Sequence, residues 1–221
     1  MLRCASFVCC LLLVTASVSG QTNLFDKQNL ADWDFHVAGE GVKVGDVFSF
    51  ADEGRILRCT GKEPFGYLAT KESYKNFTFT VEWRWPSGIT PTNSGVFLGI
   101  TDQPKGSFLP KAFEVQLQHK NAGDLWAFHG RGLTDTPSRI QNVDHAVIGK
   151  FSGVKKLLDR ENEPGQWNTM DILCNEELIV IVVNGKIVNW TKGAEPVAGR
   201  IGLQSEGGPI EFRNATVTPL P

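Results

Sequence analysis

The stretch NFTFTVEWRW, residues 76–85, alternates apolar and polar side chains over almost its whole length. Phe77, Phe79, Val81 and Trp83 fall on one face, and Thr78, Thr80, Glu82 and Arg84 on the other. A period of two is the mark of a half-buried β-strand. The same period recurs in RILRCTG, NSGVFLGI, FEVQLQ, WNTMDILC, GRIGLQ and IEFRNATVTPL. In ELIVIVVNGKIVNW two apolar runs meet at Asn184-Gly185, the strongest short signal for a two-residue hairpin. No stretch carries a long 3.6-residue apolar period, and a short helix is expected only near Val154–Arg160. From about Asn121 to Gln166 the alternation breaks down into Gly, Asp, Pro, Arg and Asn, which predicts one long, functional loop. Many strands, turn signals and one loop insertion specify an all-β antiparallel sandwich.

Bulk properties narrow the partners. The chain has 221 residues and a formal net charge of -2, with no basic cluster, which argues against nucleic acid. Residues 1–20 place an early Arg before an apolar run and then small residues, the pattern of a secretory signal. The run is shorter than the roughly 20 apolar residues of a membrane span. The reading is therefore an export signal over 1–20, no membrane insertion after its cleavage, and one domain over 21–221, secreted or periplasmic. Removing the signal leaves Cys59 and Cys174, both on inward parity, either as a disulfide or as two buried thiols. No spacing of Cys and His suggests zinc. The three Asn-X-Thr sequons, at Asn76, Asn189 and Asn214, lie in or beside predicted strands and read as chance matches.

Parity also selects candidate functional residues. Glu82 and Arg84 face away from Val81 and Trp83, and Glu114, Gln116 and Gln118 face away from Val115 and Leu117. Gln204 and Arg213 sit on the polar parity of the last two strands. If these strands share one sheet, the side chains gather in one groove, where amides, carboxylates and arginine would hydrogen-bond many hydroxyls. Asn93, at the head of NSGVFLGI, joins this set, and Trp126 would stack on a sugar ring. The partner implied is carbohydrate.

NLFDKQNLADW, GYLATKESYKNFTFTVEWRW, NSGVFLGI, FEVQLQ, AGDLW, EPGQWNTMDI, VNGKIV and GRIGLQSEGGPIEFRNATVTPL occur in that order. In this the chain resembles the secreted 3-keto-disaccharide hydrolase family over essentially everything after the signal. The resemblance implies a concanavalin A-like jelly roll of two curved antiparallel sheets with a sugar site on the concave face. It also implies a glucoside whose 3-hydroxyl is already a ketone. The related β-glucanases carry carboxylates at i, i+2 and i+4 on one strand. Here that strand reads Glu114, Gln116, Gln118, one carboxylate where ordinary glycoside hydrolysis needs two. A 3-keto sugar needs less, because the ketone acidifies the C2 hydrogen and a single base can start an elimination that water completes. Glu114 is the expected base, with Glu82 next. Arg84, Gln116 and Gln118 would hold the keto oxygen and hydroxyls. His119 or His129 would act as acid, or with Asp124 ligate a divalent ion that stabilises the enolate. His119 stands where family members often carry Asp. The competing readings are a non-catalytic carbohydrate-binding module of the same fold and a structural surface domain.

Overall fold

In the computed structural model, which describes residues 20–26 and 29–221, the 77–84 alternation is a strand whose apolar parity is 0–2% exposed. Among the described residues the strands are, in chain order, β1 (Thr22–Asn23), β2 (Trp33–Val37), β3 (Phe48–Ala51), β4 (Ile56–Cys59), β5 (Gly66–Thr70), β6 (Phe77–Arg84), β7 (Gly95–Asp102) and β8 (Lys111–Gln116). They continue as β9 (Leu125–Ala127), β10 (Ile140–His145), β11 (Gly149–Val154), β12 (Asn168–Asn175), β13 (Leu178–Val183), β14 (Lys186–Thr191), β15 (Arg200–Ser205) and β16 (Ile210–Pro219). They form two antiparallel sheets. The first has the order β14-β13-β12-β6-β16-β4-β3, with β1 added on β16. The second has the order β10-β11-β9-β8-β7-β15-β5-β2.

The sheets pack face to face over one apolar core. Phe79, Val81, Trp83 and Phe212 come from the first sheet, and Leu68, Val96, Val115 and Leu203 from the second. Burying each such side chain stabilises the fold by roughly 1.5–3 kcal/mol. The hairpin signal holds: Asn184 (φ 49°) and Gly185 (φ 74°) turn β13 into β14 with both central residues at positive φ, as the right-handed strand twist requires.

Several sequence expectations change. The segment 121–166 is not one loop, because β9, β10 and β11 lie within it and widen the second sheet. No helix forms at 154–160; β11 ends at Val154 and irregular chain follows. β9 is only three residues long, and β10 and β11 are half-exposed and rich in polar residues, so their alternation is faint. Cys59 and Cys174 do face inward, but they lie on β4 and β12, three strands apart in one sheet, and are free thiols. Three strand spacings are about 14 Å, twice the Cα separation a disulfide tolerates. Asn189 of the second sequon is buried and donates to the Gly123 and Val154 carbonyls. The export signal read over 1–20 lies, apart from Gly20, outside the described residues. Among those residues no helix is long and apolar enough to cross a membrane.

One departure from simple alternation prepares the site. β5, β7, β8 and β15 are buried on both faces, not one. A second apolar cluster explains this. Tyr67, Ala69, Phe97, Ile100, Leu109, Ala112 and Phe128 cover the outer face of the second sheet, with Phe108, Trp126, Ile148 and Phe151 packed on them.

Candidate active site

Strand β8 sends Phe113 and Val115 into the main core, so Glu114 and Gln116 must face outward. Across the ladder Glu114 is flanked by Phe97 on β7 and Trp126 on β9. Two glycines make this arrangement fit. A Cβ on Gly95 would lie 2.3 Å from Glu114 Oε1, so the carboxyl occupies the space that a side chain at 95 would fill. A Cβ on Gly153 would lie 2.1 Å from Trp126 Cε3, so the indole lies against bare backbone.

Above them is a cavity of about 380 Å³. Its polar lining is Asn93, Glu114, Gln116, Gln118, Lys155 and Glu206, and its apolar lining is Phe108, Leu109, Trp126, Phe128, Ile148 and Phe151, with His145 also present. Glu114 is 3% exposed, and its carboxyl has no hydrogen-bond partner among the described residues. Burial pushes its proton affinity well above the usual carboxylate range, and the Glu206 charge pushes it further. Burial also raises Glu206, against hydrogen bonds from Asn93 and Gln204 that favour its ionised form. Two coupled carboxyls thus face one cavity.

The amides have fixed orientations. Gln116 Oε1 accepts from the backbone N–H groups of Leu117 (2.9 Å) and Gln118 (2.8 Å), so its NH₂ is the end left for a ligand. Gln118 Oε1 accepts from Asn121 Nδ2 at 2.8 Å, with the same result. Lys155 pairs with buried Asp124 and lies 4.9 Å from the Trp126 ring centroid. Asp124 also accepts from the Lys156 backbone N–H at 2.8 Å.

The structure brings together Glu114, Gln116, Gln118, Asn93 and Trp126 of the sequence-derived set. Gln204 and Asp124 stand behind the cavity wall: Gln204 is wholly buried and donates to Glu206 at 2.7 Å, and Asp124 holds Lys155. Glu82, Arg84 and Arg213 do not belong to this groove, which corrects the shared-sheet expectation. They lie on β6 and β16 of the first sheet, whose outer face points the opposite way across a core about 10 Å thick. There Glu82 accepts from Arg213 at 2.7 Å and Glu211 from Arg84 at 2.7 Å. Arg213 and Arg84 both lie over the Trp167 ring, 4.1 and 4.4 Å from its centroid.

His119 and His129 are also absent from the cavity lining. His119 Nδ1 is 3.1 Å from Glu161, and His129 Nε2 is 3.2 Å from Ser107 Oγ. The divalent-ion set of His119, His129 and Asp124 is therefore not assembled. Among the described residues no group of three or more His, Cys, Asp or Glu is arranged to hold a metal. Sequence reasoning missed Glu206, although the parity that selects Gln204 reaches it two residues later. Phe151 on β11, and Ile148 and Lys155 at its two ends, were missed because this segment was read as loop.

A family model described as the 3-keto-alpha-glucoside-1,2-lyase-like domain matches residues 20–218. The chain belongs to this family. No curated protein matches its sequence. Among solved structures it is similar to a provisionally assigned glycosyl hydrolase from Parabacteroides distasonis, at 22% identity and TM-score 0.62, covering 91% of this chain and 100% of that one. It is also similar to the carbohydrate-binding module CBM66 from Bacillus subtilis, at 11% identity and TM-score 0.58, over 85% and 95% of the two chains. A Bacillus licheniformis β-glucanase matches at 13% identity and TM-score 0.56, over 93% and 100%. At these identities the likeness is one of fold, a jelly roll of two antiparallel sheets. Membership of the 3-keto-glucoside lyase-like family gives the chain a carbohydrate-related function.

Proposed function

We propose that this cavity cleaves 3-keto-glycosides by base-assisted elimination followed by addition of water. The observation that carries the reading is Glu114: a buried carboxyl of raised proton affinity, without a hydrogen-bond partner among the described residues, coupled to a second carboxyl and set beside amide donors. Such environments recur at catalytic groups.

Glu114 as carboxylate takes the C2 proton, and the electron pair moves onto the C3 oxygen as an enolate. The NH₂ groups of Gln116 and Gln118 and the Lys155 ammonium stabilise that oxygen; one such donor is typically worth about 10²–10³ in rate. The ketone then re-forms, C1=C2 forms, and the C1–O bond breaks. The leaving oxygen takes a proton from Glu206. Water adds across C1=C2, its oxygen to C1 and a proton from Glu114 to C2, and its second proton restores Glu206. The net change is glycoside hydrolysis. Glu114 is the base in the state where Glu206 holds the proton of the pair, and the two titrate as a unit.

The test is to incubate the protein with 3-keto-trehalose and with trehalose and to follow 3-keto-glucose. Release from the keto form alone, lost in Glu114→Gln, supports the reading. Binding of both sugars without cleavage of either would leave the chain a carbohydrate-binding module.

A further inference from the structure

The cavity is divided along the direction of β8. At one end the face carries Gln116, with Gln118, Asn93 and Glu206 beside it. At the other it carries Ala112, whose carbonyl accepts from the Phe128 N–H at 3.0 Å, and here Phe108, Leu109, Phe128, Ile148 and Phe151 form the wall. The rings interlock: Phe151 is 5.4 Å from Trp126, edge to face, and 5.1 Å from Phe128. Glu114 and Trp126 are paired at the boundary.

Resting on the function proposed above, we infer that the substrate is a glycoside with a single-ring aromatic leaving group, its sugar at the amide end and its ring at the Phe108–Phe128–Phe151 end. The reacting C1 and C2 must meet Glu114. The sugar hydroxyls need donors and acceptors, which only the amide end supplies, so the C1 substituent crosses the boundary to the apolar end. A second sugar there would bury several hydroxyls without partners, an unfavourable exchange for hydrogen bonds to water.

The polar groups nearest that end are spent, apart from His145 Nε2, too few donors for the hydroxyls of a second sugar. Ser107 Oγ donates to the Leu109 carbonyl at 2.9 Å and contacts His129, and the Ser107 carbonyl accepts from Gln103 at 2.6 Å. His145 Nδ1 accepts from the Val147 and Ile148 N–H groups at 3.2 and 3.3 Å. Aromatic walls favour an aromatic guest, edge-on or offset. The volume of about 380 Å³ is near the lower end of small-ligand pockets, which suits one pyranose and one ring better than an extended glycan.

The experiment separates affinity from the intrinsic ease with which a phenol leaves. Unoxidised phenyl, methyl and disaccharide glucosides, in both anomers, are titrated against the protein by calorimetry. In parallel, kcat/KM is measured for the 3-keto forms of phenyl glucoside and trehalose. Phenyl glucoside is expected to bind at least about 10-fold tighter than methyl glucoside or trehalose, the scale of one filled apolar pocket. Phe151→Ala, and independently Phe108→Ala outside the strands, should reduce that advantage to less than about 3-fold. Neither should change 3-keto-trehalose turnover comparably. Equal affinity for trehalose and phenyl glucoside, or equal losses for both substrates in both variants, would overturn the inference. If phenyl glucoside binds selectively but no keto-glycoside is cleaved, the ligand class stands and the reaction falls. If 3-keto-trehalose is cleaved and the phenyl ring adds no affinity, the reaction stands and the ligand class falls.

Discussion

Adding one methyl group at Gly95 tests whether the Glu114 carboxyl must sit where it does. The new Cβ would lie 2.3 Å from Oε1 and 2.8 Å from both Cδ and Cγ, whereas ordinary contact begins at 3.4 Å, a shortfall of 1.1 Å for the oxygen. The backbone of Gly95 is not in the left-handed region, so alanine adopts it without strain and the relief must come from Glu114. A displacement of about 1 Å in a reacting group can cost about 10²-fold in rate. Overpacking of this kind costs about 1–3 kcal/mol, and for a chain of this size each kcal/mol lowers Tm by about 2–4 °C. Gly95→Ala should therefore remain folded while kcat on 3-keto-trehalose falls about 100-fold. Because the methyl acts through Glu114, the Gly95→Ala/Glu114→Gln double variant should be no slower than Glu114→Gln alone. A folded Gly95→Ala protein with full kcat, or a double variant slower by a further factor of about 100, would refute the reasoning.

Glu114→Gln itself should lower turnover of 3-keto-glycosides by about 10²–10⁴ and yet raise stability at neutral pH. The native state holds the Glu114 proton to higher pH than the unfolded chain does, so the wild type loses stability as pH rises above the usual carboxylate range. Calorimetry should show the variant's Tm advantage at pH 7 and its disappearance near pH 3; an advantage independent of pH would contradict this. Glu206→Gln removes the charge that raises Glu114, so the acid limb of whatever kcat/KM profile survives should move to lower pH, and an unmoved limb would uncouple the pair. Glu82→Gln, on the far sheet, should change activity less than about 2-fold while costing about 1 kcal/mol or less through its partly exposed pair with Arg213, as read by urea unfolding.

How far the sequence could be read depended on what alternation encodes. Period two reports which side of its own sheet a residue faces. It correctly put Phe77 to Trp83, Val115 and Leu203 in the core and turned Glu114, Gln116 and Gln204 outward. It says nothing about which sheet a strand joins, because pairing of β6 with β16 and β12 is set by contacts distant in the chain. Glu82, Arg84 and Arg213 therefore had the right parity and the wrong sheet. The aromatic wall was hidden for another reason: Ile148 and Phe151 sit in a half-exposed hairpin whose Gly and polar residues mask its period. His119 and Asp124 were visible as candidates, but their partners, Glu161 and Lys155, come from the segment that looked structureless.

The hairpin β10–β11 lies at the margin of its sheet, joined to the ladder by β9 and tied at Val154 to Asn189. Its outer end can lengthen without shifting the register of β8, which is set by β7 and β9. Insertions at its tip, between His145 and Gly149, fall at the apolar end and away from Gln116 and Gln118. Lineages facing new glycosides are thus free to diversify one wall of the cavity while the reacting centre is inherited unchanged.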